Sequence, residues 1–286
     1  MSKHLRVGHI KYSNTLPVYL FFDQERFDDR IDFFHHVPAQ CNREMAAGNI
    51  DIGPISSFSY AEHAEQYLAL PGLGVSADGK VRSIYLFSKR PIETLEGSTV
   101  SLTNTSATSV NLLKIILQKF LGLHVTYKLE NPDLEAMMQH ADACLLIGDD
   151  ALLAYRKYKE YHVYDLGELW KEHTGYPMTF AVWAVRRAVI HEQAELLKEV
   201  HQAFLDSKEK SLANFDQLVA GAMAQYGGDE EGWYIYFRGL QFDFHERHQK
   251  GLEYYFTCAY ELGLLPTEVK VSLWDGTGHL KTTITN

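Results

Sequence analysis

Ser83-Ile-Tyr-Leu-Phe87 and Phe180-Ala-Val-Trp-Ala-Val185 are two extended apolar runs that bracket the middle of the chain. Between them, from Pro91 onward, short strand-like and helix-like stretches alternate. Thr99-Val-Ser-Leu-Thr103 reads as a strand, 104–107 as a polar loop and 108–121 as an amphipathic helix. In that helix Val110, Leu113, Ile116, Leu117, Phe120 and Leu121 keep helical spacing. A strand at 124–129, a helix at 132–140 and a buried strand at 143–147 follow. A chain that crosses twice between two lobes has this form. Residues 1–90 are therefore expected to form one lobe, 91–185 a second lobe inserted between hinge strands, and the helical 186–286 to return to the first. Segments near 88–92 and 182–187 should run side by side as the hinge.

The N-terminal third keeps the same rhythm. Leu5-Arg-Val-Gly-His-Ile10 and Asp32-Phe-Phe-His-His-Val37 read as strands, with a helical stretch at 17–22 in which Pro17 suits a first turn. A short helix at 41–48 closes on Gly48, and Asp51-Ile-Gly-Pro-Ile55 is a third strand. Ser57 reads as the N-cap of a helix running through Tyr67. Strand followed by helix, repeated, predicts α/β sheets with mostly parallel strands.

Composition narrows the function. A hydrophobic fraction of 46% and an aromatic fraction of 13% are those of a packed globule. The formal net charge of −10, with no Lys/Arg-rich run, repels phosphate backbones and argues against nucleic acid. No apolar run approaches the roughly 18–20 residues of a membrane span, and Met1-Ser-Lys-His-Leu-Arg-Val has no apolar leader core. Cys41, Cys144 and Cys258 are odd in number and far apart, as reduced thiols are. A cytoplasmic protein, monomer or homodimer, is expected.

Common catalytic signatures fail. Gly72-Leu-Gly74 is a lone pair of glycines followed by polar residues, and P-loop, G-x-S-x-G and paired-cysteine zinc spacings do not occur. His245 and His248, with Asp243 nearby, share a helix face, but no distant third ligand stands out, so no metal is assigned. Asp149-Asp150 reads first as a helix N-terminus.

Three strand-to-helix junctions remain: Tyr12-Ser-Asn-Thr-Leu-Pro17, Ile55-Ser-Ser57 and Asn104-Thr-Ser-Ala-Thr-Ser109. Each sets hydroxyls or an amide beside the free N–H groups of a helix start, which holds carboxylates without a full positive charge. Ordinary capping accounts for any one of them. The third offers four hydroxyls where a cap needs one.

These segments resemble the chorismate dehydratases of the futalosine route to menaquinone. Tyr12-Ser-Asn-Thr-Leu-Pro17 is similar to that family's Y-x-N-x-x-P segment. Ile55-Ser-Ser57, Gly72-Leu-Gly74, Val81-Arg-Ser-Ile-Tyr-Leu86, Thr105-Ser-Ala-Thr-Ser109, Leu146-Ile-Gly-Asp149, Trp170, Thr174-Gly-Tyr-Pro177 and Ala181-Val-Trp183 follow in the family's order. The resemblance implies a type II periplasmic-binding-protein fold, two lobes joined by two hinge crossings with a cleft between them. It implies a hydro-lyase that converts chorismate, a small dicarboxylate, to 3-[(1-carboxyvinyl)oxy]benzoate with no metal or organic cofactor. It puts Asn14 nearest the chemistry and Ser57, Ser83, Thr105, Ser106, Thr108, Ser109, Gly148 and Asp149 on the substrate. Ala107 stands where the family often has another residue. An asparagine amide is a poor base, so Asn14 is expected to orient the substrate, whose own enolpyruvyl carboxylate would take the proton.

Two other readings stay open. The sibling 1,4-dihydroxy-6-naphthoate synthase would show a different N-terminal motif and a catalytic histidine, and His9 is the only histidine beside the first junction. A cytosolic sensor or solute-binding module for small anions would share the fold.

Overall fold

The computed structural model describes residues 4–27 and 29–278. The first three residues of the N-terminal stretch and the last eight of the C-terminal segment, on which expectations were also placed, lie outside the described residues. The chain begins with β1 (Leu5–Ile10), α1 (Leu16–Tyr19), β2 (Ile31–His36), α2 (Pro38–Ala47), β3 (Ile52–Ser56), α3 (Ser57–Glu62) and β4 (Tyr67–Ala77). It continues through β5 (Ile84–Ser88), β6 (Thr99–Thr103), α4 (Ala107–Ile115), β7 (Thr126–Glu130), α5 (Leu134–Met138), β8 (Ala143–Ile147), α6 (Gly148–Lys157), β9 (His162–Asp165) and α7 (Leu166–Thr174). It ends with β10 (Met178–Arg186), α8 (Arg187–Ala213), α9 (Phe215–Tyr226), α10 (Glu230–Gly239) and α11 (Glu246–Glu261).

Two five-stranded sheets result, in the orders β2-β1-β3-β10-β4 and β7-β6-β8-β5-β9. In each, four strands share a direction and one opposes its neighbours: β10 in the first sheet and β5 in the second. Those opposing strands are the two apolar runs that bracket the middle of the sequence, and strand pairing moves both boundaries. Ile84–Ser88 pairs with β8 and β9, so it belongs to the inserted lobe. Met178–Arg186 pairs with β3 and β4, so it belongs to the first. The crossings are therefore residues 78–83 and 175–177, not positions near 90 and 185. Met178 lies in register with Ala77, which sets the two crossings side by side. The physical reason for the difference is burial on both faces: all five residues of β5 are buried, and such a strand carries no mark of the sheet that surrounds it.

Two local expectations also change. The helix after β3 stops at Glu62, and Tyr67 opens an eleven-residue strand, β4, that runs through Gly72 and Gly74. Its register against β10 shifts twice, which accommodates the glycines as irregularities in a ladder. The helix read at 108–121 is α4 followed by a π turn at Ile116–Phe120.

The C-terminal helices close the molecule. α8 packs on α1, β4 and β10, and α11 packs on β10, α3 and also α4 of the inserted lobe. Tyr255 of α11 is fully buried, donates to the Thr108 carbonyl at 3.0 Å and meets Trp170 edge-on. His245 is the N-cap of α11, and its backbone N–H donates to His248 Nδ1 at 3.2 Å. The i, i+3 histidine spacing is thus that of a helix start. Among the described residues no helix is long and apolar enough to cross a membrane.

The first crossing is pinned by one carboxylate. Asp165, 5% exposed, accepts from Val81 N at 3.0 Å, Arg82 N at 2.7 Å, Gly167 N at 2.9 Å and Glu168 N at 3.1 Å. It caps α7 and holds the first crossing at once. Arg82, with φ +61°, is the sole non-glycine residue in the left-handed region among the described residues. The hinge stores that strain where two N–H groups converge on Asp165.

Candidate functional site

The four junctions at strand ends meet between the sheets around a cavity of about 70 Å³. From the first lobe come Tyr12, Asn14 and Ser56; from the first crossing and the inserted lobe come Ser83, Ser106, Ser109 and Gly148. Phe180 and Leu240 add apolar wall. No charged side chain is among the described residues that line it.

At the first junction Ser13–Thr15 forms a tight turn. Thr15 Oγ1 closes it, donating to the Ile10 and Tyr12 carbonyls at 2.5 and 2.9 Å. Thr15 is consumed by the turn, which leaves Asn14 facing the cavity. Its Oδ1 is buried and has no hydrogen-bond partner. A buried amide oxygen without a donor is costly unless a ligand supplies one.

At the second junction the cap is Ser56, not Ser57. Ser56 Oγ accepts from Asn42 Nδ2 at 2.9 Å and from Ser59 N at 3.4 Å, and Ser56 lines the cavity. Ser57 points to the opposite side and donates to the Thr179 carbonyl at 2.8 Å. Ser56 ends β3 and Ser57 opens α3, so an error of one position exchanges the cavity-lining cap for a residue bonded into the core.

The third junction divides its hydroxyls. Ser106 caps α4, accepting from Ser109 N at 3.2 Å and donating to Ser109 Oγ at 3.1 Å, and both serines line the cavity. Thr105 pairs with Thr103 Oγ1 at 2.8 Å, and Thr108 Oγ1 accepts from Phe58 N across the lobes at 2.9 Å. Neither threonine lines the cavity, in contrast to the expectation.

At the fourth junction Gly148 lines the cavity with φ +60°, and its N–H donates to the Ser83 carbonyl at 2.6 Å. A Cβ there would lie 3.2 Å from the Tyr12 ring, so the position needs glycine on both counts. Asp149 turns away from the cavity and accepts from Ser13 Oγ at 3.0 Å, joining the lobes. Burial pushes its carboxyl above the usual range, only partly offset by the Ser13 hydroxyl. Of the residues expected on the substrate, Asn14, Ser83, Ser106, Ser109 and Gly148 come together. Ser57, Thr105, Thr108 and Asp149 do not line the cavity and bond instead to Thr179, Thr103, Phe58 and Ser13. Ser56 and the apolar wall were missed. Only the hydroxyl of Ser56, adjacent in the same motif, offered a signal.

His9 does not line the cavity. Its ring stacks on Tyr19 at 3.9 Å, and burial, with His35 and Lys11 nearby, lowers its pKa to about 4. Folding thus favours the neutral ring. The resulting stability is complete above about pH 6.5 and is lost as pH falls toward 4. Between pH 7 and pH 5 the wild type is expected to lose about 2 kcal/mol more than His9→Phe. Urea unfolding at the two pH values measures this, and equal losses in both proteins would remove the effect.

The cavity is far smaller than the ~300–1,000 Å³ of ordinary small-ligand pockets, so the lobes are closed here and must separate to admit a ligand. A family model described as menaquinone biosynthesis matches residues 5–261. The chain is 31% identical to a chorismate dehydratase of Thermus thermophilus over 236 residues, covering 77% of this chain and 82% of that protein. It is 26% identical to a 1,4-dihydroxy-6-naphtoate synthase of the same organism over 228 residues, 78% and 81% of the two chains. Among solved structures it is similar to protein AF1704 of Archaeoglobus fulgidus, with TM-score 0.72, 21% identity and coverage of 91% and 98%. It is likewise similar to the periplasmic aliphatic sulphonate binding protein SsuA of Escherichia coli, with TM-score 0.70, 16% identity and coverage of 97% and 99%. At those identities the structural likeness carries the fold, which is the two-lobed periplasmic-binding-protein fold.

Proposed function

Because the chain belongs to the menaquinone biosynthesis family, we propose that it is an enzyme, a chorismate dehydratase that removes water from chorismate to give 3-[(1-carboxyvinyl)oxy]benzoate. The observation that carries the reading is an uncharged cleft in which Asn14, Ser83, Ser106 and Ser109 converge and the Asn14 amide oxygen lacks a donor. Hydroxyls and the start of α4 serve a dicarboxylate without basic side chains. The sibling synthase reading called for a catalytic histidine at the first junction, whereas His9 packs against Tyr19 away from the cavity.

The reaction suits such a site. The ring C–H that carries the ether gives up its proton, the C–H electron pair becomes a ring double bond, and the neighbouring C–O bond breaks. Hydroxide leaves with a proton as water, and the ring becomes aromatic. The step is downhill and needs orientation and stabilisation of charge more than a strong base. The departing proton is conjugated to the ring carboxylate, so donors from Ser106 and Ser109 stabilise the negative charge that develops there. Asn14 orients the hydroxyl-bearing face, and the enolpyruvyl carboxylate of the substrate accepts the proton.

Ser109→Ala is expected to weaken chorismate by about 1–2 kcal/mol, one charge-assisted hydrogen bond. Ser106→Ala should do the same and also cost the fold about 1 kcal/mol, because it removes the cap of α4. Titration calorimetry and thermal melting separate the two effects. Unchanged affinity in both variants would reduce this junction to a cap. The reading as a whole is tested by following chorismate with the purified protein in the ultraviolet. An enzyme converts it catalytically, and a binding module leaves its spectrum intact.

A further inference from the structure

A second and larger opening, about 520 Å³, lies beside the closed cavity and shares Ser106 with it. Its place follows from topology. Both crossings leave from the β4–β10 side of the first sheet and reach the β5–β9 side of the second. The opposite edges are β2 and β7. The groove is lined by α2, the helix that follows β2, and by Tyr127 and Leu129 of β7, together with parts of α3 and α4. It is therefore the hinge-distal mouth of the cleft, where the lobes part furthest when they open.

The charges at this mouth differ from those of the molecule as a whole, whose net charge is −10. Arg43 reaches it from α2 of the first lobe and Lys114 from α4 of the second. Among the described residues neither forms an ion pair; Lys114 Nζ sits over the Tyr127 ring at 5.7 Å. Among the described residues lining the groove the single carboxylate is Glu62, next to His63, and burial raises its pKa. Phe58, Val110 and Ala107 supply an apolar floor. Two unpaired cations on opposite lobes, above an apolar floor, suit an unsaturated ring that bears two carboxylates.

We propose that Arg43 and Lys114 form an anion-capture site at the cleft mouth, which takes up the substrate's carboxylates before they pass Ser106 into the closing cleft. The proposal rests on the dehydratase reading. It resolves a difficulty of that reading: the cavity is uncharged and the protein repels dianions, so attraction must come from outside the cavity. Charges at a rim act mainly on encounter and its salt dependence, and little on the chemical step.

The test uses steady-state turnover of chorismate by wild type, Arg43→Gln, Lys114→Gln, the double variant and Arg43→Lys. In the double variant kcat/KM should fall about tenfold at low ionic strength, with kcat within about twofold of wild type. At about 0.5 M salt, where screening acts within a few ångströms, the gap should close to about twofold. Arg43→Lys should keep most of the wild-type kcat/KM, as a charge effect requires. An unchanged kcat/KM in the double variant at low salt overturns the proposal, and so does a loss that persists in high salt or falls on kcat. Wild-type protein that leaves chorismate untouched removes the dehydratase reading and this proposal with it. Wild type that turns chorismate over, beside a double variant that matches it at low salt, removes the capture site alone.

Discussion

Replacing Asn14 by aspartate should lower turnover of chorismate by about two to three orders of magnitude, the usual effect of losing one preorganised polar contact at the reacting centre. Binding should weaken as well. The Asn14 side chain lines a cavity with no charged group among the described residues, and its amide oxygen is buried without a partner among them. A carboxylate there would face a dianion in a partly dry cleft, where charges couple more strongly than in water. Asn14→Ala should retain more affinity than Asn14→Asp and still lose turnover, because a missing contact harms the ground state less than a misplaced charge. Single-turnover rates and chorismate affinities of the two variants measure both. An aspartate variant with wild-type or higher turnover would mean that residue 14 itself accepts the proton, and the substrate-assisted route would be wrong.

The second large effect is on stability. Asp165→Ala should destabilise the fold by about 3–5 kcal/mol, since it strips a buried acceptor from four backbone N–H groups. Those donors lie at the first crossing and at the start of α7, so the loss loosens the hinge and uncaps a helix together. Asp165→Asn keeps one acceptor oxygen but turns an NH₂ toward donors, and should lose somewhat less. Denaturant unfolding monitored by the fluorescence of buried Trp170 and Trp183 reads both variants. A change below about 1 kcal/mol in Asp165→Ala would show that the N–H groups find other partners.

How much of this was legible in the sequence can be followed residue by residue. Two α/β units, an insertion and a double crossing follow from alternation and from the pair of apolar runs. The position of the crossings does not, because Ile84–Ser88 and Met178–Arg186 are apolar on both faces and fit either sheet equally well. β4 was hidden by Pro71, Gly72 and Gly74, which weaken a strand signal wherever they occur. At the site, Asn14, Ser106 and Ser109 were visible as polar residues at helix starts. Ser57 and Thr108 bear the same hydroxyls yet bond to Thr179 and Phe58, and only the fold tells one group from the other. Asp149 meets Ser13 across 136 positions of chain, a contact that local patterning cannot reveal. The same holds for Arg43 and Lys114, which meet at one groove from separate lobes.

The central claim, that the cleft around Asn14 dehydrates chorismate, is tested most directly by identifying what the protein makes. Chorismate incubated with catalytic amounts of wild-type protein, and in parallel with Asn14→Ala, is analysed by mass spectrometry and proton NMR. The account predicts a wild-type product lighter by one water, with an aromatic ring and an intact enolpyruvyl ether, and nearly none of it from the variant. Chorismate recovered unchanged from the wild type, or a product formed equally well by Asn14→Ala, would contradict it.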